Sequence, residues 1–216
     1  MSDLYEIVDP RPIASSAKYT YFLPSEERLT AIDKGDLVKV TMRAIPASDK
    51  WDAERMWVKV LSTAPGWLEG SLESQPDDMP RVPRGTTVRL PRTHVMDIIF
   101  DNPEKEAGLP SDPRREYWER CLVDQAVLDG ELPVHYLYRE EPKLAQDGDE
   151  FADSGWRIRG DMRGVCAEQL AERKIAYVAL GAVLNRDDSW VSLIDEPIGA
   201  AYEKDFGRGV FLPVDD

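Results

Sequence analysis

The chain has 216 residues, with 41 acidic against 27 basic side chains and a formal net charge of −14 at pH 7. That length is enough for one large core or two of about a hundred residues each, and 42% hydrophobic residues with six Trp and eight Tyr exclude a disordered chain. No run nears the roughly eighteen apolar residues of a membrane span, and Met1-Ser2-Asp3-Leu4-Tyr5-Glu6 lacks the basic-then-apolar order of a signal peptide. A cytoplasmic location without a membrane partner is therefore expected.

Cys121 and Cys166 are too few for a disulfide framework and too isolated for a metal knuckle, so both are expected to be buried or half-buried thiols. Divided after residue 110, the second part holds 13 basic against 23 acidic residues, a net charge of −10. Such a field repels nucleic acid and steers a basic protein inward, although charge of this kind also serves plain solubility.

Residues 1–30, with Pro10, Pro12 and Pro24, read as an extended lead-in carrying a short helix from Ser25 to Ile32. Ser25 caps it, although Arg28 stands where a capping box needs Glu or Gln. Leu37, Val38, Val40 and Met42, then Met56 to Leu61, make two β-rich runs. Pro65-Gly66 turns the chain into a third strand, Trp67–Leu72, which returns against the second. Thr86–Leu90 is a further strand, and Thr93–Phe100 is expected to be a helix with Val95, Ile98 and Ile99 inward. A small curved antiparallel sheet, or partial barrel, with a closing helix follows.

Pro103, Gly108, Pro110 and Pro113 mark a boundary near 110, giving domains 1–110 and 111–216. Asp112 and Pro113 are expected to start a helix running to Glu119, followed by strands at Cys121–Val123, Val134–Tyr138 and Gly155–Gly160. A helix over Ala167–Lys174 and apolar runs at Ala176–Leu180 and Trp190–Ile194 complete an α+β domain. The fold class is α+β throughout, without an internal repeat.

Chemical motifs are sparse. His94 and His135 lack a second ligand at metal spacing, and the structural role is the stronger reading for His135. Gly207-Arg208-Gly209 lacks the third glycine of a dinucleotide fingerprint, and no nucleophile elbow or phosphate-binding loop occurs. No catalytic residue, cofactor or metal is assigned. The loop from Glu140 and Glu141 through Asp147, Asp149, Glu150 and Asp153 falls short of the full calcium pattern, and reads as a solvated loop or a contact surface for a basic partner. Trp156, just beyond it, is a candidate anchor for that surface, although a core tryptophan is the stronger reading.

Tyr138-Arg139-Glu140-Glu141-Pro142 and Asp153-Ser154-Gly155-Trp156-Arg157, with the later Glu196-Pro197-Ile198-Gly199 and Tyr202-Glu203, resemble a bacterial family of predicted polymorphic-toxin immunity proteins over about 115–216. Gly35–Val40, Glu54–Val60 and Gly85–Phe100 are similar to a YegJ-type domain. The resemblance implies a non-catalytic, protein-binding role in which an acidic immunity protein occludes a basic toxin by shape and charge. A small-ligand-binding regulatory protein and a carboxylate-dependent hydrolase stay open as alternatives.

Overall fold

Period-two alternation governs the first half of the chain: Val38, Val40 and Met42 are wholly buried, while Leu37, Lys39 and Thr41 between them reach the surface. The computed structural model describes residues 4–47, 49–110 and 114–214, and the chain divides into two units. One comprises Met1–Ser16 and Tyr21–Arg114, the other Ala17–Thr20 and Arg115–Asp216.

The first unit runs β1 (Tyr5–Ile7), α1 (Arg11–Ser16), α2 (Glu26–Thr30), β2 (Leu37–Ala44), β3 (Glu54–Ala64), β4 (Trp67–Leu72), β5 (Thr87–Pro91), β6 (Asp97–Ile99) and α3 (Pro103–Ala107). Its antiparallel strands are ordered β1-β2-β3-β4-β5, with β6 sharing the β2 edge that β1 uses further along. The result is a nearly closed sheet around a core that includes Val58, Val60, Leu68, Leu72 and Leu90. Ser25 caps α2 as expected, its hydroxyl accepting the Arg28 amide.

The second unit runs β7 (Arg120–Asp124), α4 (Gln125–Leu128), β8 (Val134–Arg139), β9 (Asp153–Gly160), α5 (Ala167–Ala171), β10 (Ile175–Ala179), α6 (Leu180–Leu184), β11 (Ala201–Asp205) and β12 (Val210–Pro213). The sheet order is β10-β7-β9-β8-β11-β12, with β7 and β9 parallel and every other pair antiparallel. Trp156 and Trp190 meet edge to face, 5.9 Å apart, in a core completed by Leu137, Ile158, Val183 and Leu184. Residues 17–20 join this unit: the Tyr19 ring meets Tyr117, and the Tyr19 amide donates to Asn185 Oδ1 at 2.9 Å.

Four local expectations are corrected. The lead-in contains a strand, because β1 pairs with Met42–Ala44, and a helix, α1. Residues 93–100 are not helical: a 3-10 turn at Arg92–His94 leads into β6, where Ile98 lies opposite Val38 and turns inward while Ile99 is 50% exposed. Two adjacent β-branched residues beside an open strand edge favour pairing over a helical turn. Asp112 and Pro113 lie outside the described residues, and 114–118 form no helix, since the Tyr117 and Glu119 carbonyls accept the Gly181 and Leu180 amides at the start of α6. Cys121 is buried, but Cys166 is exposed at the start of α5. Among the described residues no helix is long and apolar enough to cross a membrane.

Candidate functional site

The antiparallel pairing of β8 with β9 sets Arg139 opposite Trp156 and Tyr138 opposite Arg157, so the two segments that carry the resemblance close on each other. The loop between them leaves from Glu140 and returns at Asp153. Arg139 donates from Nε to the Ser154 carbonyl at 3.0 Å and from Nη1 to the Glu196 carbonyl at 2.6 Å, and Trp156 Nε1 donates to the Ile194 carbonyl at 3.1 Å. These side chains thereby fasten the 194–196 turn to the strand pair, satisfying carbonyls that burial would otherwise leave costly.

Arg157 and Asp153 lie beneath the loop. The guanidinium grips both carboxylate oxygens, at 2.9 and 2.8 Å, and its Nε reaches Glu140 Oε1 at 2.6 Å. Asp153 also accepts the amides of Lys143, Leu144 and Gly155. Burial alone would push the Asp153 carboxyl up, but Arg157 and these amides outweigh it and hold the group down at about 2. Gly155 sits at φ +80°, where a Cβ would stand only 2.1 Å from the Glu140 carbonyl oxygen. Asp153, Gly155 and Arg157 are thus occupied in closing the base of the loop, while Trp156 fastens the 194–196 turn.

The candidate contacts divide accordingly. Glu140, Glu141, Asp147 and Glu150 are exposed. Asp149 is turned in by Arg120, whose Nε and Nη2 reach its two oxygens at 2.5 and 2.9 Å and lower its pKa. Asp153 and Trp156 are not surface contacts: Asp153 is committed to Arg157, and Trp156 is wholly buried because its indole fills the core. Glu141, Asp147 and Glu150 have no ion-pair partner among the described residues. No cluster of three or more His, Cys, Asp or Glu side chains among the described residues is placed to hold a metal ion.

Sequence reasoning missed two features. Asp124, with no exposure, lies 2.9 Å from both Arg159 Nε and Arg173 Nη1 and accepts the Gly160 amide, tying β7, β9 and the segment after α5 together. It also missed the apolar residues punctuating the acidic loop, Leu144 at 41% and Phe151 at 38% exposure. The signal for them was their position inside a charged stretch, where an apolar side chain lacks a core to join. His135 is buried as its structural reading implied: Nδ1 accepts the Met162 amide at 3.0 Å, leaving Nε2 to donate to Glu203 at 3.2 Å.

Comparison with known proteins gives one family. The model of the immunity protein Imm33 domain matches residues 121–214, from within β7 to just beyond β12, and so contains both segments and the loop they carry. No curated protein and no solved structure matches the chain. The second unit is thus similar to the immunity protein Imm33 domain, in agreement with the immunity-type resemblance of its sequence.

Proposed function

We propose that this chain is a non-catalytic binding protein that neutralises a bacterial toxin through its second unit, and that the toxin surface it meets is basic. The Imm33 match over 121–214 carries the reading. Geometry supports it, because a buried Arg157–Asp153 pair holds up a loop whose outer carboxylates, Glu141, Asp147 and Glu150, are left to solvent. A net charge of −10 over residues 111–216 would speed encounter with a cationic partner and disfavour nucleic acid. We place the protein in the cytoplasm with the toxin it restrains, and take the first unit as a YegJ-type domain.

The groups with large pKa shifts fit binding better than catalysis. Asp9, Asp153 and Asp161 are all moved downward, the direction of fixed, ionised carboxylates and opposite to that of a proton donor. Burial pushes the Cys121 thiol up, away from a reactive thiolate.

The test is growth of cells expressing the reading frame next to this chain's gene, with and without the chain. Restored growth and a stable complex of the two purified products are expected. Toxicity that the chain does not relieve would remove the reading.

A further inference from the structure

The acidic loop also borders a basin of mixed polar and apolar lining. Pro142, Leu144, Ala145, Phe151 and Ala152 line much of a hollow of about 420 Å³, and an adjoining hollow of about 310 Å³ shares Gln146, Asp149, Glu150 and Phe151 with it. Phe151 is held from its own unit: its ring lies 5.9 Å from that of Trp118 and 5.7 Å from the Arg120 guanidinium. The opposite wall is fixed as well, because Asp153 takes the Lys143 and Leu144 amides and the Tyr177 hydroxyl reaches the Leu144 carbonyl at 3.4 Å. Asp149 ties the far end by accepting the Phe151 amide while paired with Arg120.

Two exposed apolar side chains therefore stand in a basin whose two walls are held by hydrogen bonds within the unit, which lowers the entropy cost of docking. Asp149 and Asp153 are consumed by internal partners, whereas Asp147 and Glu150 are not. Exposed apolar side chains beside unpaired carboxylates, Glu150 in the same hollow as Leu144 and Asp147 in the adjoining one, complement a side chain that has an aliphatic stem and a cationic head. We infer that the basin between Leu144 and Phe151 receives a basic segment of the protein partner, an arginine or lysine laying its stem on these two residues and its charge against Asp147 and Glu150. The inference rests on the second unit being the toxin-binding one, and it names the element of the toxin that this unit grips.

The probe is the peptide acetyl-Ala-Arg-Ala-Arg-Ala-amide, titrated into the full chain labelled with ¹⁵N, beside the same peptide with citrulline for both arginines. Expected are amide shifts confined to 143–152 and the Trp118 indole, their absence with the neutral peptide, and weakening of about tenfold in Leu144→Ser and in Phe151→Ser. Unchanged β9 amides would confirm that each variant remains folded. Shifts scattered over the acidic residues of both units, equal binding of the citrulline peptide, or an affinity in both serine variants unchanged from that of the native chain would overturn the inference. Toxin protection separates the two readings: protection unaltered by Leu144→Ser with Phe151→Ser removes the basin alone. Absence of protection by the unaltered chain, with peptide shifts still mapping to the basin, removes the immunity reading alone.

Discussion

Arg157 and Asp153 form a two-pronged ion pair inside the second unit, Nη1 2.9 Å from Oδ1 and Nη2 2.8 Å from Oδ2, with their side chains only 3% and 1% exposed. The same carboxylate takes amides from Lys143 and Leu144, which lie ten and nine residues earlier. One buried charge thus fixes both the strand start and the departing limb of the loop. It also explains why a single acidic stretch serves two purposes, some carboxylates building the loop and others facing out from it.

Replacing Asp153 by Asn strands the Arg157 guanidinium with Glu140 as its one remaining carboxylate, so unfolding in urea should show a loss of about 3–5 kcal/mol. Acid should act through the same group. Its folded pKa, about 2, lies below the ordinary 3.8, so the stabilisation is present above about pH 4 and is lost as pH falls through the folded value. That shift corresponds to about 2 kcal/mol. The gap between the urea midpoints of the native chain and Asp153→Asn should narrow from pH 6 to pH 2, and parallel curves would contradict the assignment.

Gly155→Ala should be among the most damaging single-methyl changes in the second unit. The backbone there has φ +80°, and the added carbon would meet the Glu140 carbonyl at 2.1 Å, so either the strand pair opens or the turn shifts. The strained backbone alone costs about 1–3 kcal/mol, and thermal melting should fall accordingly. Loss of the Glu140 amide's protection from hydrogen exchange would locate the damage, since that amide donates to the Gly155 carbonyl at 3.0 Å.

Strands whose alternation reports one buried face were legible directly. Val38, Val40 and Met42 announce β2, and the β-forming run Val134–Tyr138 announces most of β8. What failed depended on distant partners. Residues 97–99 are a strand because the β2 edge at Leu37–Lys39 is open to them, and 114–119 form no helix because the Tyr117 and Glu119 carbonyls accept amides from the start of α6. The acidic loop was visible as composition, but which carboxylates it leaves free was not. Arg120 sits 29 residues from Asp149, so nothing local in the sequence marks that pair as internal. Trp156 shows the same limit, because the carbonyl its indole needs belongs to Ile194.

Trp156→Phe keeps most of the buried ring and removes the donor to the Ile194 carbonyl. Leaving that acceptor poorly satisfied should cost about 1–3 kcal/mol. Because the indole is wholly buried, affinity for the partner should stay unchanged at temperatures where the variant is folded. Calorimetric titration of the purified complex checks this, and a large affinity loss without a stability loss would return Trp156 to the surface role considered from sequence.

Asp147→Asn with Glu150→Gln, set against Asp149→Asn, separates charge that binds from charge that builds. Asp147 and Glu150 are exposed and unpaired among the described residues, so the double variant should keep its urea midpoint. Its association with a basic partner should slow and become less sensitive to salt, as expected when steering charges at a rim are removed. Asp149→Asn weakens the bond to Arg120 that shapes the loop, so it should lower the midpoint and let Phe151 move, while the rim charges remain. Stopped-flow association at two ionic strengths, beside urea unfolding of each variant, reads both effects. An unchanged association rate in the double variant would mean that the basic partner approaches another face of the second unit.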